Sequence, residues 1–249
     1  MIIIKSPREI GLIRESARVV ALVLKAMEDL VKPGVSTAEL NDEAEKIIRS
    51  QGAIPTELGY YGYPASICAS VNEVILHGIP SKKIILKDGD IVTIDLCATK
   101  AGYVGDACRT YPVGICGERQ LRMIAIAKEA FEAAVSLVKP GVHLGDVSHA
   151  IEETAHRYGC SVVRDYTGHG IGRDMHEEPY IPCYGTPGTG PILKEGMTIC
   201  IEPMILEHKP DVRVLKDGWT VVAKDGGLTS HYENTLAVTK DGYEILSKL

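Results

Sequence analysis

Aromatic residues are scarce in this chain, which has one phenylalanine and one tryptophan and an aromatic share of 5% over 249 residues. Its core must therefore be aliphatic, and any local crowd of aromatics stands out. No apolar run is long enough to cross a bilayer, and the amino terminus MIIIKSPREI turns charged after three isoleucines, well short of a signal segment. Basic charge is lacking too: 27 Lys and Arg stand against 33 Asp and Glu, for a net charge of −6 and a pI of about 5.8. Without a basic stripe, the sequence argues against direct nucleic-acid binding. The seven cysteines, at 68, 97, 108, 116, 160, 183 and 200, form no CxxC pair and are odd in number. With no secretory signal, that predicts reduced thiols in a cytoplasmic protein. GTPGTGP at 185–191 lacks the Lys-Ser/Thr and the following helix pattern of a phosphate loop, so it reads as a plain turn-rich segment.

What is present centres on Lys87 to Thr110, KDGDIVTIDLCATKAGYVGDACRT. Two alternating, β-branched stretches flank turn residues and predict a β-hairpin. A turn centred on Lys100-Ala101 sets Asp95 directly across from Asp106, and opposed side chains share a face. Two carboxylates so close need a shared proton, a basic partner or a metal. The chain also repeats itself: VKPGV recurs at 31–35 and 138–142, KDGD at 87–90 matches KEGM at 194–197, and the same offset carries Asp95 onto Glu202. In the second half Asp217-Gly218 is a hairpin signal midway between Glu202 and Glu233 and opposes those two, although a hairpin this long is prone to slip. The expected organisation is a single catalytic domain over 1–249, with a pseudo-repeat at about 31–110 and 138–233. Each half is a helix pair followed by a hairpin carrying two carboxylates, and a pseudo-twofold arrangement brings four carboxylates to one centre.

Capping boxes at Ser6–Glu9 and Ser36–Glu39 open two amphipathic helices, the second ending at Gly52, and helices at about 118–138 and 144–158 repeat the pair. Tyr60, Tyr61 and Tyr63 crowd the segment that ends in His77-Gly78, where glycine permits close backbone approach. In DYTGHGIGRDMHEEP at 165–179, glycines 168, 170 and 172 argue against a regular strand and for an exposed His169. Histidine is a common metal ligand.

These segments resemble the type I methionine aminopeptidases of the pita-bread (creatinase-like) metallopeptidase fold. The resemblance covers essentially the whole chain. It rests on NEVILHGIP at 72–80, the Asp95 to Asp106 spacing with GDACRT at 105–110, TGHGIG at 167–172, IEP at 201–203 and YEN at 232–234, in the family's order. It implies an α+β fold of two pseudo-symmetric halves around an antiparallel sheet. It also implies a dinuclear centre in which Asp95 is a terminal ligand, Asp106 and Glu233 bridge, and His169 with Glu202 completes the set. Oxygen-rich ligation with one imidazole suits Mn, Fe(II) or Co.

The implied reaction is removal of the N-terminal methionine from nascent proteins and peptides whose second residue is small, with a transient visit to the ribosome. By similarity, His176 contacts the scissile carbonyl, His77 contacts the amide nitrogen, and Glu202 shuttles a proton. Tyr60, Tyr63, Cys68, Met175, Met204 and Trp219 would line the methionine pocket, and Asn72, Val74 and Thr229 would hold a monovalent cation, Na or K. The resemblance further implies a monomer with no membrane contact. Three positions depart from or add to the common pattern: Cys97 stands where a threonine is usual, Glu57 where a cysteine is frequent, and His231 lies two residues before Glu233 on its face. Too few residues separate His176 from Glu202 for the helical insertion of type II enzymes. The competing readings are a proline-specific peptidase of the same fold, which usually carries a further amino-terminal domain, and a binding protein of the fold that has lost its ligands.

Overall fold

Ser6 caps the first helix as its sequence requires, accepting from the Glu9 amide while Glu9 returns a bond to the Ser6 amide. The computed structural model describes residues 1–249. Helix α1 (Pro7–Leu30) is followed by α2 (Thr37–Ser50), opened by the reciprocal Ser36–Glu39 box. Beyond α2 the chain leaves through Gly52 at φ 68°, a conformation glycine adopts without steric cost. Helices α3 (Glu118–Val135) and α4 (Leu144–Arg157) form the second pair.

Each pair covers its own aliphatic core. Val20, Leu24, Leu40 and Ile48 pack on Val92, Ile94 and Leu96, whereas Ile126, Val147 and Ile151 pack with Ile199, Ile201 and Ile205. The lone phenylalanine, Phe131, lies in the second core, with its ring 5.1 Å from Tyr232.

The first hairpin forms from Ile91–Lys100 and Tyr103–Pro112, but one residue later than the sequence suggested. Lys100 faces Tyr103, so the turn residues are Ala101 and Gly102, both at positive φ (51° and 75°). A two-residue turn matching the strand twist demands positive φ at both central positions, and glycine second satisfies this better than Lys100-Ala101. Asp95 therefore faces Cys108, and Asp106 faces Cys97. Asp95 and Asp106 are diagonal rather than directly opposed, yet they share a face because the shift is by two positions.

The longer second hairpin holds the expected register throughout. Leu206 faces Thr229, Val212 faces Ala223 and Val214 faces Val221, and beyond a break Asn234 faces Ile201. Continuing that register across the break sets Glu202 opposite Glu233.

Thr167–Gly170 is a strand between Glu177–Pro182 and Thr198–Ile201 in a five-stranded sheet. Its pairing with Glu177–Pro182 shifts register between Gly168 and Gly170, so the strand is irregular as the glycines suggested, and the same glycines allow close packing. A Cβ on Gly168 would lie 2.5 Å from the Cys200 carbonyl oxygen, and one on Gly170 would lie 2.3 Å from that of Glu178. His169 is consequently buried at 5% exposure instead of displayed.

The two halves are joined where the carboxylates sit. Thr235 Oγ1 accepts from the Asp106 amide at 3.0 Å and donates to the Asp106 carbonyl at 2.7 Å, and the Glu233 amide donates to the Cys108 carbonyl at 3.2 Å. All seven cysteines are free thiols.

Candidate metal centre and adjoining pocket

Four carboxylates meet at this junction with no lysine or arginine among the main interactions acting on their carboxyl groups. Asp106, Glu202 and Glu233 are buried, and one ligand atom each from Asp106, His169, Cys200 and Glu233 lies within 4.8 Å of the others. Asp95 and Glu202 stand outside that tightest group but border the same cavity. Burial, then repulsion by Asp106, raises the Asp95 carboxyl well above its ordinary range. Glu202 and Glu233 are raised by burial and by their acidic neighbours. Asp106 is pushed up to about 7 by burial, against the hydrogen bond from the Cys97 thiol. Asp106 Oδ1 and Glu233 Oε1 have no hydrogen-bond partner.

His169 sharpens the conflict. Its Nδ1 lies 3.0 Å from the Gly170 carbonyl, which requires the proton there and leaves Nε2 a bare acceptor. Nε2 then faces Asp106 Oδ2 at 3.7 Å and Glu202 Oε1 at 3.5 Å. Burial holds the ring neutral, with its pKa lowered to about 3. Acceptors converging on acceptors need protons or a cation between them, and this donor set fits divalent metal ions.

A cavity of about 260 Å³ opens from the carboxylates between two aromatic walls. Tyr60, Tyr63, Cys68, Met175 and Trp219 all border it, with His77 and His176. Tyr63 donates to the carbonyl of Ile67 or Gly78, at 3.2 and 3.1 Å, and Trp219 packs edge-on to it at 5.1 Å. Tyr61, grouped with these by sequence, is 86% exposed at the rim.

Met204 does not reach the cavity but lies in the core under α3 and α4. The strand breaks at Glu202-Pro203, between Ile201 and Met204, so the alternation that would have kept Met204 on the Glu202 face is lost there.

His77 takes the left-handed conformation at φ 55°, uncommon outside glycine. Gly78 beside it is obligatory, since a Cβ there would lie 2.4 Å from the Ala69 carbonyl oxygen. Burial, then proximity to His176, lowers the His77 pKa to about 4. His176 Nδ1 lies 2.9 Å from the Tyr60 hydroxyl, and burial lowers its pKa as well. With Tyr60 donating, Nε2 carries the proton. Asn72, Val74 and Thr229 also converge: Thr229 Oγ1 is 2.8 Å from the carbonyl oxygens of both Asn72 and Val74. One hydroxyl proton cannot serve two carbonyls at once.

Sequence reasoning missed Leu76, Tyr166 and Thr167, which border the cavity. Glu57 borders it too, at the pocket edge where the resemblance puts it, with Oε1 accepting from the Cys97 amide and Oε2 unpartnered. The Tyr60–His176 contact joins segments remote in the chain, and nothing in the local pattern signals it. His231 is buried with Nε2 3.5 Å from Glu202 Oε2, and neither ring nitrogen has a partner.

The profile of Metallopeptidase family M24 matches residues 11–240. Methionine aminopeptidase 1 of Bacillus subtilis is 46% identical over 249 residues, covering 100% of both chains. Methionine aminopeptidase of Escherichia coli K12 is 46% identical over 248 residues, covering 98% of this chain and 93% of that one. The crystal structure of methionine aminopeptidase from Thermotoga maritima superposes with a TM-score of 0.98 at 43% identity over 100% of both chains. Prolidase from Pyrococcus furiosus gives 0.80 at 27% identity, over 99% of this chain and 66% of that one.

Proposed function

The chain belongs to metallopeptidase family M24, and on that premise we propose that it removes N-terminal methionine from nascent proteins and peptides by hydrolysing the first peptide bond. The fold is the α+β pita-bread arrangement shared with the methionine aminopeptidases and prolidases it superposes on. The observation that carries the reading is the closed set of buried acceptors around His169 at the foot of a pocket walled by Tyr60, Tyr63, Cys68, Met175 and Trp219. A thioether offers little hydrogen bonding, and a mainly apolar, polarisable wall suits it.

Asp95, Asp106, His169, Glu202 and Glu233 would hold two divalent cations, of the Mn, Fe(II) or Co class given the oxygen-rich donors. Such a pair supplies an activated water and polarises the carbonyl under attack. The chain's own side chains then do the rest. His176 donates from Nε2 to the carbonyl oxygen as negative charge gathers there, its tautomer fixed by the Tyr60 hydroxyl. Glu202 takes the water proton on a carboxylate oxygen, and His77 faces the leaving nitrogen from the opposite wall. Trp219 and Tyr63 keep bulk water from the methionine side chain.

We propose likewise the domain, the setting and a third ion. One catalytic domain spans 1–249 and works as a monomer in the cytoplasm, where it meets nascent chains at the ribosome. Asn72, Val74 and Thr229 take a monovalent cation, Na or K.

The deciding assay measures free methionine released from Met-Ala-Ser and Met-Ile-Ser, beside an X-Pro dipeptide, with stripped protein reloaded with Mn, Fe(II) or Co. Cleavage of Met-Ala-Ser alone is expected. Cleavage confined to the X-Pro substrate would reassign the chain to proline-specific hydrolysis. In the same assay His176→Ala should lower kcat by about 10²–10³ with KM little changed, the signature of a donor used in the transition state. A rise in KM alone would contradict that role.

A further inference from the structure

Cys108, two residues beyond Asp106 on the same strand, brings a thiol into the carboxylate layer. Cys108 faces Asp95 and lies on the same side of the hairpin as Asp106. From the other half comes His231, the residue two before Glu233. One ligand atom each from Cys108, His231 and Glu233 lies within 4.8 Å of the other two, and the residues are 0%, 1% and 2% exposed. Glu202 Oε2 stands 3.5 Å from His231 Nε2, within reach as a fourth donor.

Two further observations point to a ligand. Both ring nitrogens of His231 are buried without a hydrogen-bond partner, and so is Glu233 Oε1. The neighbouring thiols are already engaged, Cys97 with Asp106 and Cys200 with Glu233 and Thr235.

We propose that Cys108, His231 and Glu233 form a binding site for a thiophilic divalent cation, Zn²⁺ or Cd²⁺, which overlaps the proposed catalytic centre through Glu233. Thiolate, imidazole and carboxylate together are a zinc-type donor set, softer than the four carboxylates and one imidazole proposed for the catalytic pair. On binding, the Cys108 thiol gives its proton to water and sulfur bonds the ion, while the neutral His231 offers a lone pair without losing a proton. Glu233 held by this ion is withdrawn from the catalytic carboxylates, so occupancy inhibits. A hard ion such as Mn²⁺ gains little from sulfur and leaves the site alone. The site therefore acts as a selective brake, engaged by soft cations only.

The inference goes beyond the peptidase reading, and its test reads the metal–sulfur bond rather than catalysis. Protein saturated with Mn²⁺ is titrated with Cd²⁺ while near-ultraviolet absorption is followed. A thiolate-to-cadmium charge-transfer band is expected to appear and saturate. It should vanish in Cys108→Ser, persist in Cys97→Ser and Cys200→Ser, and need about tenfold more Cd²⁺ or above in His231→Gln. No band in the wild-type chain, or a band that survives Cys108→Ser, overturns the proposal. If Cys108→Ser does not fold, as its circular dichroism would reveal, His231→Gln decides: unchanged Cd²⁺ affinity overturns the proposal equally. Met-Ala-Ser cleavage by the Mn²⁺ sample, measured in parallel, fails or succeeds independently of the band.

Discussion

Asp106→Asn lowers kcat/KM on Met-Ala-Ser by about a thousandfold or more, and metal analysis finds fewer than two divalent ions per chain. Even partners that only orient metal ligands are worth about 10–100-fold in affinity or activity. Asp106 is more central than that, with Oδ2 3.7 Å from His169 Nε2, Oδ1 unpartnered, and a ligand atom in the tightest donor group. The same substitution should raise the stability of the metal-free protein. Asp106 repels Asp95, Glu202 and Glu233 alike, so the neutral amide relieves three neighbours at once. That relief should show as a higher melting temperature at pH 8. Melting curves in chelator test this half of the prediction. A variant that loses metal and also melts earlier would mean the Asp106 carboxylate is structural, held by the Cys97 thiol rather than poised for a cation.

How much of this was legible in the chain depends on what each signal encodes. The helix caps were, because Ser-x-x-Glu is a local hydrogen-bond pattern that the fold seldom overrides. The second hairpin kept its register over a long span because Asp217-Gly218 fixes the tip and hydrophobic alternation fixes the face. The first slipped because turn chemistry, not strand composition, chooses the central pair, and Ala101-Gly102 accepts the required positive φ where Lys100-Ala101 does not. The glycines around His169 did mark an irregular strand, but His169 looked exposed because they also admit a neighbouring backbone, a use visible only once the partner strands are known. Met204 was lost to the break at Glu202-Pro203. The meeting of Cys108 with His231 joins the two halves of the chain, a contact that neither hairpin's own pattern encodes.

In chelator, the protein's melting temperature falls as pH rises from about 6.5 to 8, and a divalent ion removes most of that fall. Asp95, Glu202 and Glu233 hold protons in the fold well above the ordinary carboxylate range, and Asp106 does so to about 7. A group raised in this way stabilises fully below its unfolded value, near 4, and loses that contribution as pH climbs through its folded value. The buried histidines act oppositely. His169 and His231 are held to about 3 and His77 to about 4, so their contribution grows with pH until the unfolded imidazole has titrated near 6.5. Between about 4 and 6.5 the two sets oppose each other. Above 6.5 only the carboxylates still change, and stability must fall. Cations bind the ionised carboxylates, so the gap between melting curves with and without Mn²⁺ widens with pH, and at a thousandfold excess over Kd it reaches about 4 kcal/mol. Parallel curves from pH 6.5 to 8 would show that the carboxylates are not held protonated by the fold. Glu57 separates the two origins of any remaining slope. It is likewise raised well above its usual range by burial, then by Asp106 and Asp95, but it is not among the proposed ligands, so its share persists when the ion is bound. Glu57→Gln should remove that residue of pH dependence from the Mn²⁺-loaded protein.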